Sequence, residues 1–245
     1  MTFTKLMAGI ALVALTTTSA IAGSHTVRMG TEGAYAPYNF INDNGEVDGY
    51  EIELGNELCK RAELDCTWVT NDWDSIIPNL VSGNYDTIMA GMSITAERDE
   101  VIDFTSEYFP ADPSSYVALA GAGAEATTGT VAAQTATIQA SYVASSDATV
   151  VEYATMEDTI AAVRNGEADS VLADHAALKD IVDASGGVLA FVGDDVAIGG
   201  GVGMGVRESD GELRGKFEAA IAAMKADGSL NALIAKWFDG RDAGY

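Results

Sequence analysis

Val27 and Met29 alternate with polar neighbours up to Gly30, the period-two pattern of a strand with one buried face. Ile52, Leu54, Leu58 and Ala62 then recur at helical spacing, and a short strand is predicted around Cys66 to Val69. A second helix is predicted to carry Ile76, Ile77 and Leu80, with Asp74 as its cap and Gly83 near its stop. Pro78 is tolerable in the first turns of that helix. A strand running into Met89 and a helix from about Thr95 complete the series. Thr31 to Phe40 reads as a loop rich in aromatics and glycine, and Asn42 to Gly45 as a turn.

The pattern breaks from Tyr108 to Pro113, where two prolines flank an acidic residue. A strand over Ser115 to Leu119 and a Gly/Ala-rich loop to Gly129 follow. A second alternating series then opens, with strands predicted at Val131–Gln134, Thr149–Tyr153 and Ser170–Leu172, the last running into Asp174. Helices are predicted near Ile138–Val143 and over Glu157–Asn165. Gly199 to Gly205 is a second glycine-rich passage. Beyond it Leu213, Phe217, Ile221 and Met224 form one helical stripe closed by Gly228, and Leu230, Leu233, Ile234 and Trp237 form a shorter one. Strands alternating with helices of this length argue a parallel α/β sheet, here in two series. The irregular passages around 107–114 and 199–206 are the expected crossings between two lobes.

The ends and the charge narrow the function. A short polar start, the apolar stretch Leu6 to Leu15 and the small residues Ala20-Ile21-Ala22 read as a secretory signal over residues 1–22, removed after Ala22. That apolar core is too short to span a bilayer. The expected product is therefore exported and soluble, in the periplasm. The formal charge of −24, with no Lys or Arg between Arg98 and Arg164, excludes a nucleic-acid partner, which needs a basic face. Cys59 and Cys66 in an exported chain read as a disulfide joining a helix end to the next strand, with a metal pair as the weaker alternative. No cofactor or metal site is predicted. A His-dependent triad is possible only through His175, and no Gly-x-Ser-x-Gly elbow accompanies it.

The stretch Asp86 to Arg98 concentrates the chemistry. An apolar run ends in Ala90 and Gly91, followed by Met92, the hydroxyls Ser93 and Thr95, and Arg98 at the start of the predicted helix. Small residues let a ligand touch the main chain, helix-start N–H groups favour an anion, and an Arg fork grips a carboxylate with two parallel hydrogen bonds. The combination suits an α-carboxylate; a surface arginine on an ordinary strand-turn-helix is the alternative.

Further motifs stand in order along the chain: Gly30 to Tyr38, Gly49-Tyr50-Glu51-Ile52-Glu53-Leu54, Glu57 to Arg61, Asp74 to Leu80, Ala90 to Arg98, Gln134-Thr135-Ala136-Thr137, Ala173-Asp174, and Asp227-Gly228 through Trp237-Phe238. In these the chain resembles the periplasmic solute-binding proteins for polar amino acids that serve ABC importers, especially the branch that binds basic amino acids. The resemblance covers essentially the whole mature chain. It implies the two-lobed α/β fold of type II periplasmic binding proteins on a two-strand hinge. Residues 23–110 would form the first part of lobe 1, 111–204 lobe 2, and 205–245 the return to lobe 1. It implies a monomer that binds an L-amino acid and docks on a membrane permease, with no catalytic residue.

The resemblance also assigns roles. Arg98 takes the α-carboxylate with the backbone or hydroxyls of Ser93 and Thr137, and Asp174 takes the α-ammonium from the far lobe. Tyr35 and Trp73 wall the side-chain pocket with Glu32 at its end, and Ala90, Gly91 and Met92 belong to the same ligand loop. Cys59 and Cys66 match a disulfide of the basic-amino-acid branch. The expected ligand is cationic or strongly polar, arginine first and lysine or ornithine next. Another polar amino acid or derivative, or a dehydratase-type enzyme on the same scaffold, are the alternatives. Three departures stand out: Ala136 where the family often has Gly, Glu32 where some relatives have Asp, and Ala90 where some have a hydroxyl residue.

Overall fold

The computed structural model describes residues 26–245. The predicted leader over residues 1–22 lies outside the described residues. The chain opens with β1 (Val27–Thr31), the short strands β2 (Ala34–Tyr35), β3 (Asn39–Ile41) and β4 (Val47–Asp48), and α1 (Tyr50–Arg61). It continues through β5 (Cys66–Thr70), α2 (Ile76–Val81), β6 (Thr87–Ile88), the single turn α3 (Ala96–Asp99) and β7 (Asp103–Phe104). A second series holds β8 (Ser114–Leu119), β9 (Thr130–Gln134), α4 (Ile138–Ala144), β10 (Thr149–Tyr153), α5 (Met156–Asn165), β11 (Ser170–Asp174), α6 (His175–Ala184) and β12 (Leu189–Val196). Last come β13 (Gly205–Val206), α7 (Gly211–Ala226) and α8 (Ser229–Trp237).

Two five-stranded sheets give two lobes. The first has the order β5-β1-β6-β13-β7 and the second β10-β9-β11-β8-β12. The helix-linked neighbours pair parallel, as the alternating pattern predicts, with β1 beside β5 and β6, and β9 beside β10 and β11. Both sheets are nevertheless mixed. β13 runs antiparallel to β6 and β7, and β8 runs antiparallel to β11 and β12. Each first strand after a crossing enters its sheet from the opposite direction, which no local pattern encodes. The two crossing segments pair with each other at Phe109 and Val202.

After the second crossing, β13 inserts between β6 and β7, and α7 and α8 pack on α1. Asp86 fixes this return, because one carboxylate oxygen lies 2.9 Å from both Arg28 and Arg207. Phe109 stands in an aromatic cluster beside the crossing, with Tyr38 at 5.2 Å, Tyr50 at 5.8 Å and Phe238 at 4.6 Å between centroids. Edge-to-face packing of buried rings gives the crossing a stiff footing.

Some expectations change. β2 to β4 form a small three-stranded sheet where the sequence reads as loop and turn, because strands of two or three residues carry no periodicity. Strand β12 also escapes the pattern, since Gly193, Asp194 and Asp195 interrupt it; pairing with β8 holds it, with a register shift between Val192 and Val196. Asp74 does not cap α2. Residues Trp73–Ser75 form a 3₁₀ turn, Ser75 takes the cap position, and no side-chain cap bond forms. Cys59 and Cys66 are joined, with sulfurs 2.10 Å apart, linking the end of α1 to the start of β5.

Candidate functional site

Glu32 follows β1, Ala90 follows β6, Gln134 ends β9 and Asp174 ends β11. All four stand at carboxyl ends of parallel strands, where open α/β sheets leave a crevice for ligands. The two lobes face each other there across a cavity. Glu32, Tyr35, Trp73, Ala90, Gly91, Ser93 and Arg98 line it from the first lobe, and Gln134, Thr137, Ile138, Gln139 and Asp174 from the second. Nine of the ten residues picked out by sequence therefore meet in one place.

Met92 is the exception. Its side chain is buried in the first lobe's core with Trp73, Ile76 and Leu80 and does not line the cavity. The chain turns at Gly91, whose φ is +63°, and beyond that turn Ser93 faces the cavity while Met92 faces the core.

The predicted helix after Thr95 is only one turn long, Ala96–Asp99. Its dipole is correspondingly small, so attraction for an anion falls on Arg98 itself. The Thr95 hydroxyl accepts from the Arg98 N–H at 3.2 Å and fixes that turn. Arg98 donates from Nη1 to the Ser93 carbonyl at 2.9 Å, and its guanidinium carbon lies 5.3 Å from the centroid of the Trp73 ring. Among the described residues no carboxylate lies within ion-pair distance of it. Burial lowers its pKa, partly offset by the charges of Asp174 and Glu97.

Asp174 occupies the cap position of α6 without capping it. Its oxygens accept instead from the Tyr35 hydroxyl at 2.7 Å and from Gln139 Nε2 at 2.8 Å. Tyr35 is thus a cross-lobe donor as well as a wall, and its ring stacks on Tyr38 at 5.7 Å. Gln134 makes a second cross-lobe bond, from Nε2 to Glu32 Oε1 at 2.6 Å. A third runs from Trp73 Nε1 to the Ala136 carbonyl at 3.4 Å. Thr137 caps α4: its hydroxyl accepts from Ala140 N–H at 3.1 Å and donates to the Gln134 carbonyl at 2.6 Å. Ala136 takes φ of +57°, which explains why glycine suits this position; the left-handed backbone costs about 1–2 kcal/mol for a residue with a Cβ.

Gln134 and Gln139 are functional candidates that sequence reasoning passed over. Gln134 stood inside a quoted motif, but an uncharged side chain gives no sign of a partner 102 residues away.

Charge at the site is sensitive to pH. Burial pushes the Asp174 carboxyl up to about 6 against the pull of the Tyr35 hydrogen bond, and Asp112 adds to the rise. Burial likewise pushes Glu32 up to about 7, against its hydrogen bond from Gln134. A bound cation stabilises both carboxylates, so cation binding releases protons near neutral pH. Affinity for a basic amino acid is expected to weaken by about tenfold or more as pH falls from 8 to 5.5. Calorimetry in two buffers of different ionisation enthalpy reads the protons directly. The unliganded fold has the opposite sign. Its raised carboxyls hold protons that the unfolded chain releases, so their contribution to stability grows as pH falls through about 7 and about 6 toward the ordinary carboxyl range.

Residues 27–240 match the model of the bacterial extracellular solute-binding proteins, family 3. The chain belongs to that family. Among its members, the lysine/arginine/ornithine-binding periplasmic protein of Escherichia coli (strain K12) is 32% identical over 229 residues, covering 87% of this chain and 88% of that protein. The L-arginine-binding protein of Pseudomonas aeruginosa is 32% identical over 232 residues, with 89% of each chain covered. A crystal structure of a periplasmic His/Glu/Gln/Arg/opine family-binding protein from Silicibacter pomeroyi, in complex with lysine, is 72% identical. It superposes with a TM-score of 0.87 over 90% of this chain and 100% of that one. The curated relatives are named as binding proteins, and the Silicibacter pomeroyi protein shares this two-lobed fold. Among the described residues no helix is long and apolar enough to cross a membrane.

Proposed function

We propose that this chain captures a basic L-amino acid, arginine or lysine, in the cavity between its lobes and delivers it unchanged to the permease of an ABC importer. The reading places it in the periplasm as a monomer. One observation carries it: Arg98, a half-buried guanidinium with no ion-pair partner among the described residues, and Asp174, a half-buried carboxylate, line the same cavity from opposite lobes.

A zwitterion taken from water must have each charge paired, or desolvation outweighs the contacts. Arg98 has N–H groups beyond the one given to Ser93 for the α-carboxylate, and Asp174 receives the α-ammonium. Thr137 gives its hydroxyl proton to Gln134, so its main-chain N–H is the group it offers to the carboxylate. Glu32, with the faces of Tyr35 and Trp73, suits a cationic end group, each ring adding roughly 0.5–2 kcal/mol. The lysine in the Silicibacter pomeroyi protein and the names of the relatives support a basic ligand. Contacts from both lobes favour the closed arrangement, which the permease would recognise.

Calorimetry of the purified protein against arginine, lysine, ornithine, histidine, glutamine and glutamate tests the assignment, with mass spectrometry of the released ligand. Tight binding of arginine or lysine, recovered intact, is the expected result. Tight binding of glutamate with no response to either basic amino acid would overturn it.

A further inference from the structure

The motif Gly49 to Leu54 has no part in the ligand contacts above, yet it holds a carboxylate that is fully buried. Glu51 is 0% exposed and has no ion-pair partner among the described residues. Burial raises its pKa, and three hydrogen bonds oppose the rise. Oε1 accepts from the main-chain N–H of Gly91 at 2.7 Å and from the Tyr108 hydroxyl. Oε2 accepts from Asn39 Nδ2 at 2.7 Å.

The donors come from three parts of the site. Gly91 is the left-handed turn, φ +63°, of the loop that carries Ser93 and Arg98; a Cβ there would meet the Tyr35 ring at 3.1 Å. Tyr108 belongs to the first crossing segment. Asn39 passes the contact on, since its Oδ1 accepts from Gly33 N–H at 2.7 Å, beside Glu32. That bond also fixes the Asn39 amide, leaving only its NH₂ to face Glu51. We propose that Glu51 is the positioning residue that sets the Gly91 turn and the Gly33 loop against the first crossing segment, so that cavity and hinge hold one geometry. This rests on the binding reading above.

A carboxylate is required because every neighbour donates. In Glu51→Gln the new NH₂ opposes the Asn39 NH₂; relief by rotating Asn39 abandons the Gly33 N–H. An added Asn39→Asp change supplies acceptors both to the introduced amide and to the Gly33 N–H, and restores the pattern with the charge moved by one side chain. Asn39→Asp alone sets two buried carboxylates face to face. The two single variants should weaken binding of L-lysine by about tenfold or more, and the double variant should return to within about threefold of wild type.

Amide hydrogen exchange gives a reading without ligand: Gly33 should lose protection in Glu51→Gln and regain it in the double variant. A purely architectural role would lower the melting temperature while the folded protein kept its lysine affinity, without rescue. Should Glu51→Gln not fold, Tyr108→Phe removes one donor alone and should weaken lysine binding by about threefold. Lysine affinity within the wild-type range in the folded variants, with unchanged Gly33 exchange, overturns the proposal. If wild type ignores lysine, the ligand assignment fails instead, and exchange at Gly33 still decides the role of Glu51.

Discussion

Arg98→Ala lowers the affinity for arginine or lysine by about 3–5 kcal/mol, roughly two to three orders of magnitude or more. The size follows from what the substitution leaves behind. The ligand carboxylate would still be drawn into the cavity, with no cation to meet it in a poorly solvated space. Arg98 also holds the Ser93 carbonyl at 2.9 Å and stacks on Trp73, so part of the loss is the loosening of that loop. Lysine would not substitute well: one ammonium cannot serve both the Ser93 carbonyl and a bidentate carboxylate. Titration calorimetry on Arg98→Ala and Arg98→Lys measures both, with circular dichroism to show that each is folded. A loss below tenfold in the alanine variant removes Arg98 from the carboxylate role.

The second large effect is at Asp174, where affinity and stability should move in opposite directions. Asp174→Asn removes the charge facing the ligand ammonium and is expected to weaken binding by about 3–5 kcal/mol. The unliganded fold should not suffer. Asparagine can accept from Gln139 and donate to the Tyr35 oxygen, which keeps both contacts of the aspartate with the Tyr35 bond reversed in direction. It also removes a carboxylate that burial has pushed up to about 6, so above that pH the native state sheds an unfavourable charge. Melting curves at pH 7.5 should show the unliganded variant at least as stable as wild type, while lysine no longer raises its melting temperature. A variant that loses stability and keeps its affinity would place Asp174 in the architecture alone.

Gln139 belongs to the same cluster because it orients Asp174 from the second lobe, with Nε2 shared between Ser114 and the Asp174 carboxylate. Nothing in the local sequence marks it. A glutamine at the start of a helix reads as a solvated position, and the carboxylate it serves lies 35 residues away. Thr137, by contrast, stands directly before an apolar helical run, where a threonine suits a cap, and it does cap α4. The same contrast separates α5 and α7, whose stripes are plain, from β12, whose glycine and aspartates disguise it.

While Glu32, Tyr35 and Trp73 came from the family resemblance, periodicity by itself pointed to the α/β character, the two cysteines to a disulfide and the run from Ala90 to Arg98 to part of the first lobe's share of the cleft. Those features depend on neighbours within one turn or one strand, and their physics is local. Tertiary structure alone decided that β13 slots between β6 and β7, that Met92 turns inward, and that Gln134 reaches Glu32 across the cleft. Such pairings join segments far apart in the chain, and an uncharged donor carries no mark of the partner it will find. Gln134 and Glu32 come within hydrogen-bonding reach only because the two lobes face each other.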